Sequence, residues 1–117
     1  MLNYKNMGTI NWEDFEKLEI RCGTILRVED FREALKPAYR LWIDFGEFGI
    51  KKSSAQITAH YTKMELLGKQ VVAVVNFPPK QVANFISECL VLGAVDAGGS
   101  VVLLQTERTT SNGLRIA

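Results

Sequence analysis

The sequence has few of the residues that metal binding and phosphate cradling require. Its 117 residues include a single histidine and two cysteines. These cannot fill a four-ligand structural zinc site, and neither CxxC nor HxxxH spacing occurs. No GxGxxG or GxxxxGK[ST] loop is present either. Metal sites and phosphate loops of these kinds are therefore excluded, and we expect no cofactor.

A catalytic cluster is also missing from the sequence. Catalysis needs a nucleophile with a base in reach, paired carboxylates or a metal. The lone histidine, His60, follows the third predicted strand. An isolated histidine there is more often a surface or capping residue than a general base. The sequence therefore predicts a binding protein and not an enzyme.

Long apolar runs and a disulfide pattern are absent as well. No stretch approaches the roughly 18 apolar residues of a membrane span, and the first residues lack the apolar core of a signal peptide. Cys22 and Cys89 lie far apart in strand-like segments, which favours buried, reduced thiols. We expect a soluble, cytoplasmic protein without membrane insertion.

The charge is nearly balanced, with 14 Lys and Arg against 13 Asp and Glu. Dedicated nucleic-acid binders are usually far more basic. The middle third, residues 32–63, nonetheless has six basic and three acidic residues. It is either a patch that attracts phosphates or acidic peptides, or a normally solvated surface. The length predicts a single domain over residues 1–117.

Periodicity predicts an all-β fold. After a loose arm over residues 1–10, "NWEDFEKL" is typical of a short helix that begins after Asn11. Residues 18–29 then alternate in polarity, which predicts a long strand with one face in the core and a bend at Gly23. The core face of that strand should carry Leu18, Ile20, Cys22, Thr24, Leu26 and Val28.

Further strands are predicted in "YRLWIDF", "IKKSSAQI", "QVVAVVNF", "FISECLVLGAV" and "SVVLLQTE". The first of these should direct Tyr39, Leu41, Ile43 and Phe45 to one face. "TAHYTKMELLGK" supplies one or two helical turns after the third strand. Five short strands with a helix between strands three and four indicate a five-stranded OB-fold barrel.

An OB barrel binds its partners on the face of strands two and three. In this sequence that face would carry Arg40, Trp42, Lys51 and Lys52. A tryptophan on a polar strand face offers a stacking plane for a base or a pocket wall for a peptide. It equally fits a residue that packs on the helix or on a second subunit.

The segment "NFPPKQVANFISECL" is a second candidate for the binding site. Pro78 and Pro79 stiffen the exit from a buried strand and hold Lys80 in place. Asn76 ends that strand, and Ser87 and Glu88 should lie near it if the two strands pair. The segment is either a polar recognition rim or an ordinary hairpin with polar side chains.

Three longer stretches resemble the tRNA-binding-domain family in its stand-alone form: "LEIRCGTILRVEDF", "LWIDFGEFGIKKSSAQI" and "LLGKQVVAVVNFPPKQVANFISECLVLGAV". Within it, the chain looks like the export-related chaperones, which are thought to hold unfolded precursor proteins. The resemblance implies an OB-fold homodimer joined through N- and C-terminal extensions, residues 1–17 and 107–117. The interface residues would then be Trp12, Phe15, Leu18, Leu114 and Ile116.

The family's RNA-binding members resemble this chain at Asn76, Lys80, Ser87 and Glu88, in a segment implicated in tRNA contact. The chain departs from them at Ser54-Ala55-Gln56 and at Cys89-Leu90, and its basic residues near Lys80 are fewer. The leading hypothesis is therefore a chaperone for precursor polypeptides, and the alternative is a tRNA-binding protein. The candidate pocket comprises Trp42, Phe77, Pro78 and Pro79, with Lys51, Lys52 and Lys80 at its rim.

Overall fold

The computed structural model of the chain describes residues 7–117, and the N-terminal arm predicted over residues 1–10 lies partly outside this range. Its elements are, in chain order, α1 Trp12–Glu16, β1 Ile20–Asp30, β2 Tyr39–Asp44, a 3-10 turn Gly46–Phe48, β3 Ile50–Ala55, α2 Lys63–Leu66, β4 Gln70–Val74, β5 Lys80–Val82, β6 Phe85–Ser87, β7 Leu90–Val91, β8 Gly93–Val95 and β9 Val101–Leu103. No helix within residues 7–117 has the length and apolar character needed to cross a membrane.

The strands form a nearly closed five-stranded barrel. The sheet order is β3-β2-β1-β4-β7, and all neighbours are antiparallel. β1 is long enough to pair with β4 over Ile20–Thr24 and with β2 from Thr24 onward, so it joins both sides of the barrel. The predicted all-β OB fold, with a short helix between strands three and four, is confirmed.

The barrel interior is filled from β2 and its neighbours. Tyr39, Leu41, Ile43 and Phe45 are all buried, as their alternation predicted. They pack with side chains from β1, α2 and β4, including Ile25, Leu66 and Val71. Full burial of each such side chain contributes about 1.5–3 kcal/mol, so this cluster is the main source of stability.

The prediction for β1 was wrong in one respect, because its apolar residues do not share one core. Ile20 and Cys22 face a second cluster outside the barrel, whereas Ile25 lies inside it. The pairing register with β2 shifts between Ile25 and Arg27, which marks a β-bulge. The bulge reverses the alternation beyond it, so Val28 packs against the barrel core, whereas Leu26 is exposed.

The second cluster is where the chain's two extensions pack. Phe15, Leu18 and Ile116 cover the outer face formed by β1 and β4. The C-terminal segment runs beside β1: Gly113 N donates to Cys22 O at 2.7 Å, and Ile116 N donates to Ile20 O at 2.8 Å. The extensions therefore seal the barrel's own surface. Both cysteines are buried and unpaired, as predicted.

The predicted strand "FISECLVLGAV" is divided into β6, β7 and β8. The preceding turn also contains a strand that was not predicted, β5, which pairs with β6 through a two-residue turn at Ala83 and Asn84. Ala83 adopts a φ of 50°, which is unusual for a residue other than glycine. The segment after the double proline is therefore an ordered hairpin that stands out from the barrel sheet.

Candidate binding cleft

A cleft of about 860 Å³ lies between the double-proline turn, the β5–β6 hairpin and the end of β3. Its lining is mainly apolar at the turn, where Phe77, Pro78 and Pro79 meet Leu90. Phe77 and Leu90 are both exposed to solvent. The further lining residues are Ser54, Gln56, Lys80, Gln81, Val82, Ser87, Glu88 and Cys89.

A second cleft of about 520 Å³ adjoins the first. The two share Ser54, Gln56 and Val82, so they form one groove that passes along the hairpin. The far end is lined by the β1–β2 loop, where Leu35 is fully exposed. A groove with apolar groups at both ends suits an extended chain better than a compact ligand.

Asn76, the first residue of the candidate segment, does not line this groove. Its Oδ1 accepts from Glu19 N at 3.0 Å, and its Nδ2 donates to Lys17 O at 2.8 Å. Both ends of the amide are therefore engaged by the connection between α1 and β1. β4 pairs with β7 nearby, at Val74 and Leu90, but the Asn76 amide is held by backbone groups, and its place in a polar rim with Ser87 and Glu88 stays a prediction.

Ser87 and Glu88 line the groove, but their side chains bind backbone groups. Lys52 N donates to Glu88 Oε1 at 3.0 Å, and Glu88 N donates to Lys52 O at 2.7 Å. Ser54 N donates to Ser87 Oγ at 3.1 Å. Two side chains thus replace ladder bonds where β3 would otherwise present an open edge, and they close the barrel.

This role of Glu88 can be separated from a ligand contact. We expect Glu88→Ala to lower the free energy of unfolding by about 1–2 kcal/mol, because the Lys52 N–H then loses its partner. Glu88→Gln keeps a carbonyl oxygen in the same place and should cost less than about 0.5 kcal/mol. Urea denaturation of the three proteins measures both values. Equal losses in the two variants would show that the charge, and not the hydrogen bond, matters.

Arg40, Trp42 and Lys52 lie together on the outer face of β2 and β3, outside the groove. Phe85 from β6 is buried against this face, with its ring centroid 5.8 Å from that of Trp42. The Lys52 ammonium lies 5.2 Å from the Phe85 ring centroid. The predicted face of β2 and β3 and the predicted double-proline turn are thus two separate surfaces. Phe85 of the hairpin joins them, because its ring packs against the strand face.

The two arginines of this outer face are already partnered. Arg40 forms an ion pair with Glu29 at 3.0 Å, and Arg27 bonds the same carboxylate. The Arg27 guanidinium also stacks on Trp42, 4.4 Å from the ring centroid. Trp42 therefore packs between the Arg27 guanidinium and Phe85 of the hairpin, and not on a helix as one predicted alternative required.

The remaining predicted lysines differ in their surroundings. Lys80 lines the groove and is exposed. Lys51 pairs with the buried Ile43, so it points to the opposite face of β3 from Lys52. Cys89, also in the lining, is buried, and this burial raises the pKa of its thiol to about 12. The thiol is therefore protonated at neutral pH and a poor nucleophile.

Sequence reasoning missed several lining residues: Ser54, Gln56, Gln81, Val82 and Leu90. One signal was available, since Ser54-Ala55-Gln56 and Cys89-Leu90 are the positions where the chain departs from the RNA-binding pattern. Both departures border the groove. The change at Leu90 places an exposed apolar side chain there.

A known protein family and several solved structures match most of the chain. The family described as "Putative tRNA binding domain" matches residues 20–115. Two solved structures, chaperone CsaA from Bacillus anthracis str. Ames and the CsaA chaperone protein from Picrophilus torridus, are each 55% identical to the chain. Their TM-scores are 0.90 and 0.87, and they cover 94% and 93% of this chain and 100% of their own.

Among curated relatives, the methionine–tRNA ligase of Methanosarcina mazei is 33% identical over 112 residues. The match takes in 96% of this chain but only 16% of the ligase. The ligase of Porphyromonas gingivalis strain ATCC 33277 is 37% identical over 92% of this chain and 15% of its own length. The chain thus spans a small part of the curated relatives it matches.

Proposed function

The chain belongs to the tRNA-binding domain family, with CsaA chaperone structures among its close neighbours, and from this premise we propose that it is a chaperone. It binds unfolded precursor polypeptides in the cytoplasm before their export and carries out no covalent chemistry. The observation that carries this proposal is the groove at the double-proline turn, which is largely apolar and open to solvent.

The charges of the groove support a polypeptide as its ligand. The main cleft contains one cation, Lys80, and one carboxylate, Glu88, and that carboxylate already accepts a backbone hydrogen bond. The adjoining cleft adds one of each sign, Lys36 and Glu33. A nearly neutral, apolar groove holds exposed apolar segments by burying their surface and gives a polyanion little attraction.

A second candidate function, structure-dependent tRNA binding, is favoured by the family match and by the methionine–tRNA ligase relatives. The surface for it would be the outer face with Arg40, Trp42 and Lys52, together with Lys80 at the groove. Within the described residues, Arg27 and Arg40 share the carboxylate of Glu29, which reduces the positive charge of that face.

The two functions differ in their response to salt. We expect binding of a labelled unfolded precursor peptide to change less than about two-fold between roughly 50 and 200 mM salt, because apolar burial is not screened. Contact with three tRNA phosphates would instead weaken binding about 20- to 40-fold over that range. Fluorescence anisotropy with the peptide and with bulk tRNA measures both dependences.

Lys80→Ala is the informative variant in that experiment. We expect it to leave peptide affinity within about two-fold and, if tRNA binds, to reduce the salt slope by about one. Arg108→Ala is the matched control, because it removes an exposed cation that lines neither cleft. Tight, salt-sensitive tRNA binding without a peptide signal would replace the chaperone proposal with the tRNA proposal.

We also propose that the chain forms a homodimer through its extensions. The five predicted interface residues fall into two groups in the structure. Three of them, Phe15, Leu18 and Ile116, pack on the chain's own second cluster. Trp12 is 85% exposed, and Leu114 is exposed as well. A tryptophan that exposed commonly marks a surface for a partner.

Light scattering tests the dimer directly. We expect Trp12→Ala to lower dimer affinity at least about 10-fold, since a central aromatic often dominates an interface. Met64→Ala is a suitable control, because Met64 is equally exposed but lies on α2. An unchanged dimer in Trp12→Ala would remove this proposal and leave the groove proposal intact.

A further inference from the structure

We propose that the groove holds a polypeptide as an added β-strand, through the main-chain N–H and C=O of Gln81 in β5. This inference rests on the proposed chaperone function and names the way in which the ligand is recognised. The ligand is an extended segment of any sequence that offers free main-chain groups and apolar side chains at alternate positions.

The hydrogen-bond pattern of the hairpin identifies the groups involved. β5 and β6 are joined by a two-residue turn, so Val82 and Phe85 exchange ladder bonds, and Lys80 and Ser87 do so next. Gln81 lies between these pairs, opposite Ile86. Its N–H and C=O therefore point away from β6, toward the free edge of β5.

That edge is unpaired within residues 7–117. The sheet that contains β5 has two strands, and none of the turn, loop or side-chain hydrogen bonds there reaches the main chain of Gln81. The Gln81 side chain donates to Ala83 O at 3.1 Å, so that neighbouring carbonyl already has a partner. One donor and one acceptor remain, both on Gln81, which itself lines the groove.

The surroundings of this edge limit how much chain it can pair with. Pro79, which has no N–H, precedes β5, and the strand ends at the turn after Val82. Short edges flanked by proline and lysine resist uncontrolled strand pairing. The edge of β5 can therefore add a single short segment but cannot nucleate a larger sheet.

Apolar side chains lie along the groove beside the edge of β5. One end has Phe77 and Leu90, the middle has Val82, and the far end has Leu35. In an extended ligand, alternate side chains point to the same face and would meet these groups in turn. Main-chain hydrogen bonds do not depend on the side chains of the ligand, and the apolar contacts are unselective. Together they produce the broad, weak recognition that unfolded clients require.

The test uses a labelled peptide of alternating valine and serine and a set of its single N-methyl derivatives. An N-methyl group removes one donor and blocks strand pairing at that residue, with no change in side chains. We expect affinity to fall about 3- to 10-fold at one or two alternate positions of the peptide and to stay within about two-fold at the positions between them.

Two variants of the protein complete the test. Gln81→Pro removes the N–H that faces the ligand and leaves the β5–β6 ladder bonds in place, whereas Gln81→Ala removes only the side chain. We expect the first to bind the peptide about 3- to 10-fold more weakly than the second, which keeps the main-chain N–H. Unchanged Trp42 fluorescence in both, measured in a Trp12→Phe background, would show that Phe85 still holds the hairpin.

The outcomes separate the two proposals. If the unmodified peptide binds, but the N-methyl series shows no alternation and Gln81→Pro behaves like Gln81→Ala, strand addition is wrong and the chaperone proposal stands. If neither this peptide nor an unfolded precursor peptide binds at low salt, both proposals are wrong.

Discussion

Gly23→Val should lower the free energy of unfolding by about 2–4 kcal/mol, although valine is a far better strand former than glycine. A Cβ atom at position 23 would lie 2.7 Å from Ile43 Cγ2 and 2.7 Å from Phe45 Cδ1. Both neighbours are fully buried, so neither can move aside without disturbing the barrel core. The β1 strand needs glycine here because Phe45 packs directly against its backbone.

Urea denaturation measures this effect, and Gly8→Val is the matched control. A Cβ at position 8 has no neighbour within 4 Å, so that substitution should change stability by less than about 0.5 kcal/mol. Strand propensity and core packing predict opposite signs at Gly23. A stabilised Gly23→Val protein would therefore mean that the barrel does not close against Phe45 as described.

Gly23 also shows how much of the fold could be predicted from the sequence. The alternation of β2 predicted its core face correctly, because a regular strand directs every second side chain to the same face. β1 shows the same alternation, yet it serves two cores. The bulge after Ile25 depends on how the strand coils between β4 and β2, which is a property of the closed barrel.

The position of the groove was predictable from the sequence, whereas the contacts of its side chains were not. The double proline and Lys80 indicated a stiff turn, and they line the groove, while their role in binding stays a prediction. The predicted polar rim, however, requires free side chains, and Asn76 and Glu88 instead satisfy backbone groups. The sequence does not reveal whether an asparagine or a glutamate binds a ligand or a distant backbone group. Their partners, 36 and 57 positions away, are set only by the tertiary structure.

The hairpin was missed for a related reason. Ala83 occupies a left-handed position where glycine or asparagine is the usual signal, so "VANF" does not look like a tight turn. What holds it is Phe85, which packs on the outer face of the barrel and orders the hairpin from outside. Tertiary packing thus overrides local turn preference in a segment that forms one wall of the groove.

Phe85→Ala should therefore lower the free energy of unfolding by about 3–4 kcal/mol and weaken peptide binding at least about 10-fold. Phe85 is only 6% exposed, and its ring lies 5.5 Å from Phe31 and 5.8 Å from Trp42, centroid to centroid. Removal of the ring leaves a cavity beneath the hairpin and frees the β5 edge from its fixed place beside the groove.

Phe85→Leu is the control, because it refills most of the cavity and should cost about half as much stability while preserving the groove. Both variants are best measured in a Trp12→Phe background, where Trp42 is the only tryptophan and reports on the packing of Phe85. If Phe85→Ala loses stability but binds peptide normally well below its unfolding transition, the groove does not depend on the hairpin. Loss of both together, with recovery of binding in Phe85→Leu, would mean that one buried ring on the outer face couples barrel stability to the shape of the binding groove.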